Sequence, residues 1–204
     1  MGDCGDRGPH SWKTIKAVYK NPQWIYLKGN HEDMLVKAIK EHLYNMSNEC
    51  DRIRSRAQRL LYSNGGQRTL EDAIKGEYLH IWAKVLNDLK TCMLYTNSQG
   101  INIFLSHAGC TPKPQDLIEL KMDKYDLIWD REHFEDEWEE QMHNVIVVHG
   151  HTPVQHLRYY AKNEDLKAFR YCDNHKIDID LGCFHSGRSC LLNLDTLEEQ
   201  ILEN

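Results

Sequence analysis

Gly2-Asp3-Cys4-Gly5-Asp6-Arg7-Gly8-Pro9 sets two carboxylates and a guanidinium between glycines. Glycine permits tight turns and close backbone approach to a ligand. Carboxylate oxygens suit a hard cation, and a planar guanidinium pairs with phosphate oxygens two at a time. The stretch therefore reads as a loop built around a metal and a phosphate. Three later stretches share its vocabulary: Gly29-Asn30-His31-Glu32, Ser106-His107-Ala108-Gly109 and His149-Gly150-His151-Thr152.

Outward from that loop, Ser11 to Lys20 carries Trp12, Ile15, Val18 and Tyr19 at helical spacing, with Pro9 and Ser11 as start signals and Asn21-Pro22 as the break. Trp24 to Leu27 is a wholly apolar run of strand length ending in the Gly29-Asn30-His31 loop. Asp33 to Tyr44 returns to helical periodicity, Glu49 to Leu61 reads as a charged, exposed helix, and Asn64-Gly65-Gly66 is a breaker. Thr69 predicts a cap, with Asp72 in the capping-box position. Tyr78, Ile81, Trp82, Val85 and Leu89 predict one helical face between Gly76 and Leu94. Residues 33–94 thus form a predicted helical insert between strand-loop units. Downstream, the apolar runs Ile101 to Leu105 and Val145 to Val148 are strands that deliver His107 and His151. Ile177 to Leu181 and Leu192 to Leu194 predict a strand pair, Glu132 to Glu140 an exposed helix, and Lys162 to Lys167 a polar loop. Strands alternating with helices predict a layered α/β architecture.

Side chains held at strand ends converge, because neighbouring strands lie about 5 Å apart and α/β folds bind ligands at that edge. Asp3, Asn30, His107 and His151 then form one oxygen and nitrogen ligand set. Such donors suit Mn²⁺, Fe or Zn²⁺ rather than a thiolate-selective metal. His149 is read as a hydrogen-bonded core residue, since His151 better suits the loop. Asp6 and Arg7 admit a plainer reading as an internal salt bridge, and Arg131 as a surface ion pair with Glu132 or Glu135.

At 204 residues the chain fits one domain that buries a core without disulfide staples. A net charge of -6 gives no electrostatic argument for nucleic acid or an anionic membrane as partner. No apolar run approaches the roughly 20 residues that span a bilayer, and no signal pattern opens the chain, so a cytoplasmic protein is expected. Seven cysteines (Cys4, Cys50, Cys92, Cys110, Cys172, Cys183 and Cys190) form no CxxC pair and read as reduced thiols, with Cys4 the one placed to sense oxidation.

Taken together, Gly2-Asp3-x-x-Asp6-Arg7-Gly8, Gly29-Asn30-His31-Glu32, Ser106-His107-Ala108-Gly109 and Gly150-His151-Thr152-Pro153 resemble the calcineurin-like metallophosphoesterases. Within them the chain resembles the bacterial and phage serine/threonine protein phosphatases of the lambda phosphatase type. That narrower likeness rests on Asn64-Gly65-Gly66…Thr69, on Leu127-Ile128-Trp129-Asp130-Arg131-Glu132, and on Ile179-Asp180-Leu181-Gly182-Cys183 through Gly187-Arg188 to Leu194. The resemblance covers essentially the whole chain. It implies a metallophosphoesterase-like β-sandwich flanked by helices and a single catalytic domain over residues 1–204. It further implies hydrolysis of phosphoserine or phosphothreonine, on a protein or a small phosphoester, by direct attack of metal-bound hydroxide. By the same resemblance Asp3 bridges two metals, while Asn30, His107 and His151 complete the second site. Arg7 and Arg131 hold the phosphate, and His31, oriented by Asp6, protonates the leaving oxygen. Asp180 supports its loop. Manganese is the expected metal, with iron or zinc as alternatives.

The family also places an Asp-x-His loop on a strand upstream of the first loop. This sequence carries none, so the expectation is an N-terminally truncated member whose first metal site is incomplete, holding at most one metal tightly and turning over weakly. His185 and Ser186 stand where the family often has an aromatic residue and a glycine. Symmetrical hydrolysis of diadenosine tetraphosphate uses most of the same loops and is the alternative activity, with Asn64-Gly65-Gly66 favouring the protein phosphatase. An inactive phosphate- or metal-binding remnant is the second alternative.

Overall fold

Helical and strand-forming runs separate along the chain into two compact units, Gly2–Lys90 and Thr91–Asn204 together with Met1. The computed structural model describes residues 1–47, 55–111, 113, 122–135, 138, 142–157 and 166–203. Both strands and helices are present, in a mixed α/β fold as expected.

The first unit is helical: α1 (Ser11–Lys20), α2 (Asn30–Ser47), α3 (Arg56–Ser63), α4 (Gln67–Lys75) and α5 (Leu79–Asn87). Helix α1 has the predicted bounds and buries Trp12 and Ile15. The rings of Trp12 and Tyr19 meet Trp82 edge-on at 5.3 and 5.4 Å. Ser11 does not cap α1; its hydroxyl donates back to the Gly8 carbonyl at 3.0 Å. Helix α2 starts earlier than its apolar spacing predicts and takes Asn30 and His31 out of the expected loop into its first turn. Polar capping, invisible to apolar periodicity, is responsible. Glu32 reaches back to the Gly29 N–H at 2.8 Å, as the third residue of a capping box does.

Other expectations for this unit give way to tertiary context. Trp24 to Leu27 forms no strand: among the described residues it makes one isolated parallel bridge, Leu27 to Lys90, while Trp24 and Ile25 stay exposed. Without a ladder, an apolar run has nothing to hold it extended. Helix α4 starts at Gln67 rather than at a Thr69 cap, and Thr69 turns into the interior at 1% exposure. The long helix expected from Gly76 to Leu94 ends at Asn87; Ala83 and Leu86 fill its buried face, and Tyr78 and Ile81 remain exposed. Of the charged helix expected over Glu49 to Leu61, residues 49–54 lie outside the described residues, and the rest is α3, with Leu61 buried.

The second unit holds a five-stranded sheet of β1 (Cys92–Thr96), β2 (Asn102–Ser106), β3 (Val145–His149), β4 (Phe169–Tyr171) and β5 (Lys176–Asp178), in the order β1-β2-β3-β5-β4. The three central strands are parallel, with Phe104 opposite Val147 and Val148 opposite Ile177, and both edge strands run antiparallel. Strand β3 is buried at every position, which is why it reads as a continuous apolar run. Because β2 and β3 are parallel neighbours, Ser106 and His149 end at one edge and carry His107 and His151 there. A separate hairpin pairs β6 (Arg188–Leu192) with β7 (Glu199–Glu203). The expected pairing of Ile177–Leu181 with Leu192–Leu194 is therefore not made: β5 enters the larger sheet, and β6 finds the later strand instead. Strands β1, β4 and β7 lie where no strand was expected. Within Glu132 to Glu140, His133–Glu135 is a 3₁₀ turn with His133 buried, and residues 136–137 and 139–140 lie outside the described residues. The loop expected at Lys162 to Lys167 falls outside them up to residue 165. No helix among the described residues is long and apolar enough to cross a membrane.

Phe104 has no exposed surface and packs with Leu127, Met142, Val145 and Val147. Phe104→Ala is expected to destabilise the protein by about 4 kcal/mol, read as a lowered midpoint of guanidinium unfolding.

Candidate functional site

In the first unit the opening loop is fixed by one carboxylate. Glu32, 1% exposed, accepts hydrogen bonds from the Asp3 N–H at 2.8 Å, the Cys4 N–H at 3.0 Å, the Gly29 N–H at 2.8 Å and the Tyr26 hydroxyl at 2.7 Å. Asp3 in turn accepts from the His31 N–H at 3.0 Å, serving as a remote cap for α2 and setting a negative charge at its positive end. Asp3 lies so close to Gly29 that a Cβ there would strike its carboxylate oxygen, so the close approach requires glycine.

The loop then turns through Asp6 and Arg7, which with Asp3 occupy the left-handed region at φ 69°, 58° and 53°. Non-glycine residues hold such backbone only when their surroundings enforce it. Here the Arg7 N–H donates to the Gly65 carbonyl at 3.2 Å and Arg7 Nε to the Asn64 carbonyl at 3.3 Å. Gly65, at φ +86°, lies where a Cβ would meet Arg7 Cγ at 2.8 Å. Asn64-Gly65-Gly66, expected as a helix breaker, is thus also the seat of Arg7.

His31 sits between these groups. Its Nδ1 is 2.5 Å from Asp6 Oδ2, and Arg7 Nη2 is 3.3 Å from its Nε2. Asp6 and Arg7 are therefore linked through the imidazole, in place of the internal salt bridge of the plainer reading. The geometry assigns the proton to Nδ1, donating to Asp6, and leaves Nε2 to accept from Arg7. Burial alone would lower the His31 pKa, but the hydrogen bond to Asp6 and the Asp3 and Asp6 charges outweigh it and raise it above 6.5. The stabilisation this lends is present at low pH and is lost as pH rises through the folded-state value. Asn30 is buried beside it at the head of α2. Cys4 is a poor oxidation sensor, since burial and the neighbouring Glu32 push its thiol up to about 11 and keep it protonated at neutral pH.

In the second unit His107 and His151 lie edge to face, ring centroids 5.0 Å apart, with one ring nitrogen of each within 4.8 Å of the other. His107 Nδ1 is 2.8 Å from the Met1 carbonyl, which fixes the Nδ1–H tautomer and leaves Nε2 as the lone-pair nitrogen. Metal-binding histidines commonly carry such an outer hydrogen bond, so the donor chemistry fits a cation. His151 is held at φ 71°. Arg131 Nε donates to His151 Nε2 at 3.1 Å, so a cation taking that nitrogen would require the guanidinium to leave it. His149 is a core residue, as expected: fully buried, it bonds the Tyr171 hydroxyl at 2.7 Å, and burial drives its pKa well down. Asp180 supports its loop by accepting from the Gly182 N–H at 2.8 Å.

Sequence reasoning assigned no role to Glu32 or Tyr26. The available signal was Glu32 lying three residues after Gly29, a capping-box spacing.

Comparison with known proteins identifies a family. The calcineurin-like phosphoesterase family model matches residues 1–186. An asymmetrical bis(5'-nucleosyl)-tetraphosphatase of Oceanobacillus iheyensis is 25% identical over 206 residues, covering 90% of this chain and 68% of the relative. A solved structure proposed to be a diadenosine tetraphosphatase superposes with a TM-score of 0.56 at 14% identity, over 100% of this chain and 78% of its own.

Two variants probe the first unit. Glu32→Gln turns an amide donor toward buried N–H groups, and is expected to cost about 3 kcal/mol in urea unfolding. Asp6→Asn replaces the charged acceptor on His31 Nδ1 with a neutral amide, so the His31 pKa, followed by ring-proton NMR against pH, is expected to fall.

Proposed function

The chain belongs to the calcineurin-like phosphoesterase family, and on that footing we propose that it is a metal-dependent hydrolase of diadenosine tetraphosphate and like dinucleotides. The carrying observation is the Asp6–His31–Arg7 constellation, a buried carboxylate and a guanidinium on opposite nitrogens of one imidazole. The substrate class draws support from the tetraphosphatase relatives, which favour the dinucleotide over the phosphoserine or phosphothreonine expected from the sequence.

In this reading His107 and His151 are ligands of a divalent metal, and the family resemblance adds Asp3 and Asn30 as candidates. Manganese, iron and zinc all suit this carboxylate, amide and imidazole set. When bound, the metal supplies the Lewis acidity that makes water an effective nucleophile at neutral pH. Arg7 and Arg131 hold phosphoryl oxygens and stabilise charge that grows in the transition state. Once the substrate anion draws Arg7 away, His31 Nε2 can take a proton, and Asp6 on Nδ1 keeps the ring cationic and oriented. Water adds to phosphorus, the bond to the bridging oxygen breaks, and His31 gives its proton to the departing oxygen while the proton of water leaves to solvent.

Purified protein with added Mn²⁺ is expected to cleave diadenosine tetraphosphate, and to do so at least about tenfold more efficiently, by kcat/KM, than it cleaves a phosphoserine peptide. His31→Gln should lower kcat on the dinucleotide by roughly 10²- to 10⁴-fold. Chromatography of the products separates ATP plus AMP from two ADP, and so asymmetrical from symmetrical cleavage. Faster turnover of the peptide would return the assignment to protein phosphatase, and hydrolysis of neither would leave a binding remnant.

A further inference from the structure

Beside the phosphate-binding candidate Arg131 stands a pair of aromatic rings that the chemistry above does not use. Tyr125 and Trp129 stack with centroids 5.8 Å apart and planes 18° from parallel. Trp129 meets the His151 ring edge-on at 6.4 Å, and His151 accepts from Arg131 Nε. Ring, ring, imidazole and guanidinium are thus joined by successive contacts.

The outer ring is not there for burial. Tyr125 is 61% exposed, so its stack on Trp129 removes little apolar area from water. Its backbone is nevertheless firmly held. The Tyr125 N–H donates to Asp123 Oδ1 at 2.7 Å, and its carbonyl accepts from the Ile128 and Trp129 N–H groups at 3.1 and 2.9 Å. The indole Nε1 of Trp129 is buried without a hydrogen-bond partner among the described residues. An exposed aromatic face on a fixed backbone, next to a guanidinium, offers a π-surface and an anion clamp side by side.

We propose that Tyr125 and Trp129 form a stacking shelf for one nucleobase of the substrate, with Arg131 holding the phosphate chain that leaves it. The proposal rests on the dinucleotide reading and adds how the substrate is recognised: by the flat face of the base. Stacking reads a π-face rather than an edge, so the shelf takes any nucleobase and gives a phosphoserine peptide no comparable gain. Every nucleobase presents such a face, and a base stacked on one aromatic side chain strengthens binding by roughly 5- to 150-fold.

The test separates base from phosphate. Binding of ADP and of pyrophosphate, equal in phosphate number, is measured by isothermal titration with Mn²⁺ present, in wild type, Tyr125→Ala, Tyr125→Leu and Tyr125→Phe. Wild type and Tyr125→Phe are expected to prefer ADP by about tenfold or more. Tyr125→Ala and Tyr125→Leu should bring the two ligands close to equal affinity while leaving pyrophosphate binding and the circular dichroism spectrum unchanged. On diadenosine tetraphosphate Tyr125→Ala should raise KM by a similar factor with kcat within about twofold. An ADP preference that survives Tyr125→Ala, or that never existed in wild type, overturns the shelf. If wild type fails to hydrolyse the dinucleotide yet its ADP preference vanishes in Tyr125→Ala, the hydrolase reading falls and the shelf stands.

Discussion

One buried carboxylate sets the geometry of the first unit. The two oxygens of Glu32 accept four hydrogen bonds, from three backbone N–H groups and a phenol. Three of those donors lie far from helix packing: Asp3 and Cys4 in the opening loop, and Gly29 before α2. A charge at 1% exposure is tolerable only when its lone pairs are filled, and here they are. The consequence is spatial. The loop that carries Asp3, Asp6 and Arg7 is tied to the helix end that carries Asn30 and His31. Tyr26 stays a neutral donor, because burial and the Glu32 charge both raise its pKa.

The strain in the loop follows from that tie. Three non-glycine residues at positive φ within five positions would not persist in an unsupported loop. Asn64-Gly65-Gly66 completes the support, offering two carbonyls to Arg7 and, at Gly66, space where a Cβ would come within 2.7 Å of the Asp6 carboxylate. A close approach by glycine on one side and a filled carboxylate on the other leave the Asp6 and Arg7 side chains little choice of direction. Both meet His31.

How much of this was legible beforehand depended on the kind of signal. Strand runs with burial on both faces, Ile101–Leu105 and Val145–Val148, declared themselves, and with them the shared edge that carries His107 and His151. Helix α1 announced itself by its spacing, with a break at Asn21-Pro22. Elements decided by a distant partner did not. Strand β1 has an unremarkable sequence and exists because β2 offers a ladder. The more apolar run Trp24–Leu27 makes a single bridge and stays coil. Among the candidate site residues, the sequence pointed to those with chemistry in their own side chains, Asp3, Asp6, Arg7 and His31. Glu32 was quoted and passed over because its work is on backbone N–H groups, and a backbone partner leaves no residue type to notice. The seat of Arg7 was missed for the same reason.

The choice between His149 and His151 shows position overruling identity. Both are histidines at one strand end, two residues apart. His149 is the last residue of β3, with no exposed surface, and its ring is taken up by the Tyr171 hydroxyl. Close behind it, His133 is also buried, and burial together with the Lys176 charge holds its pKa down to about 3. Lys176 itself has no exposed surface, and its ammonium donates to Thr111 Oγ1 at 2.5 Å and the His133 carbonyl at 2.6 Å. A fixed positive charge in that interior makes a second cation there unfavourable, whether a proton on an imidazole or a metal ion. Past Gly150 the chain leaves this environment, and His151 turns through positive φ to stand beside His107 and Arg131. Burial first, then the neighbouring His133, with a smaller contribution from Lys176, sets the inner histidine apart as structural and leaves the outer one as the candidate ligand.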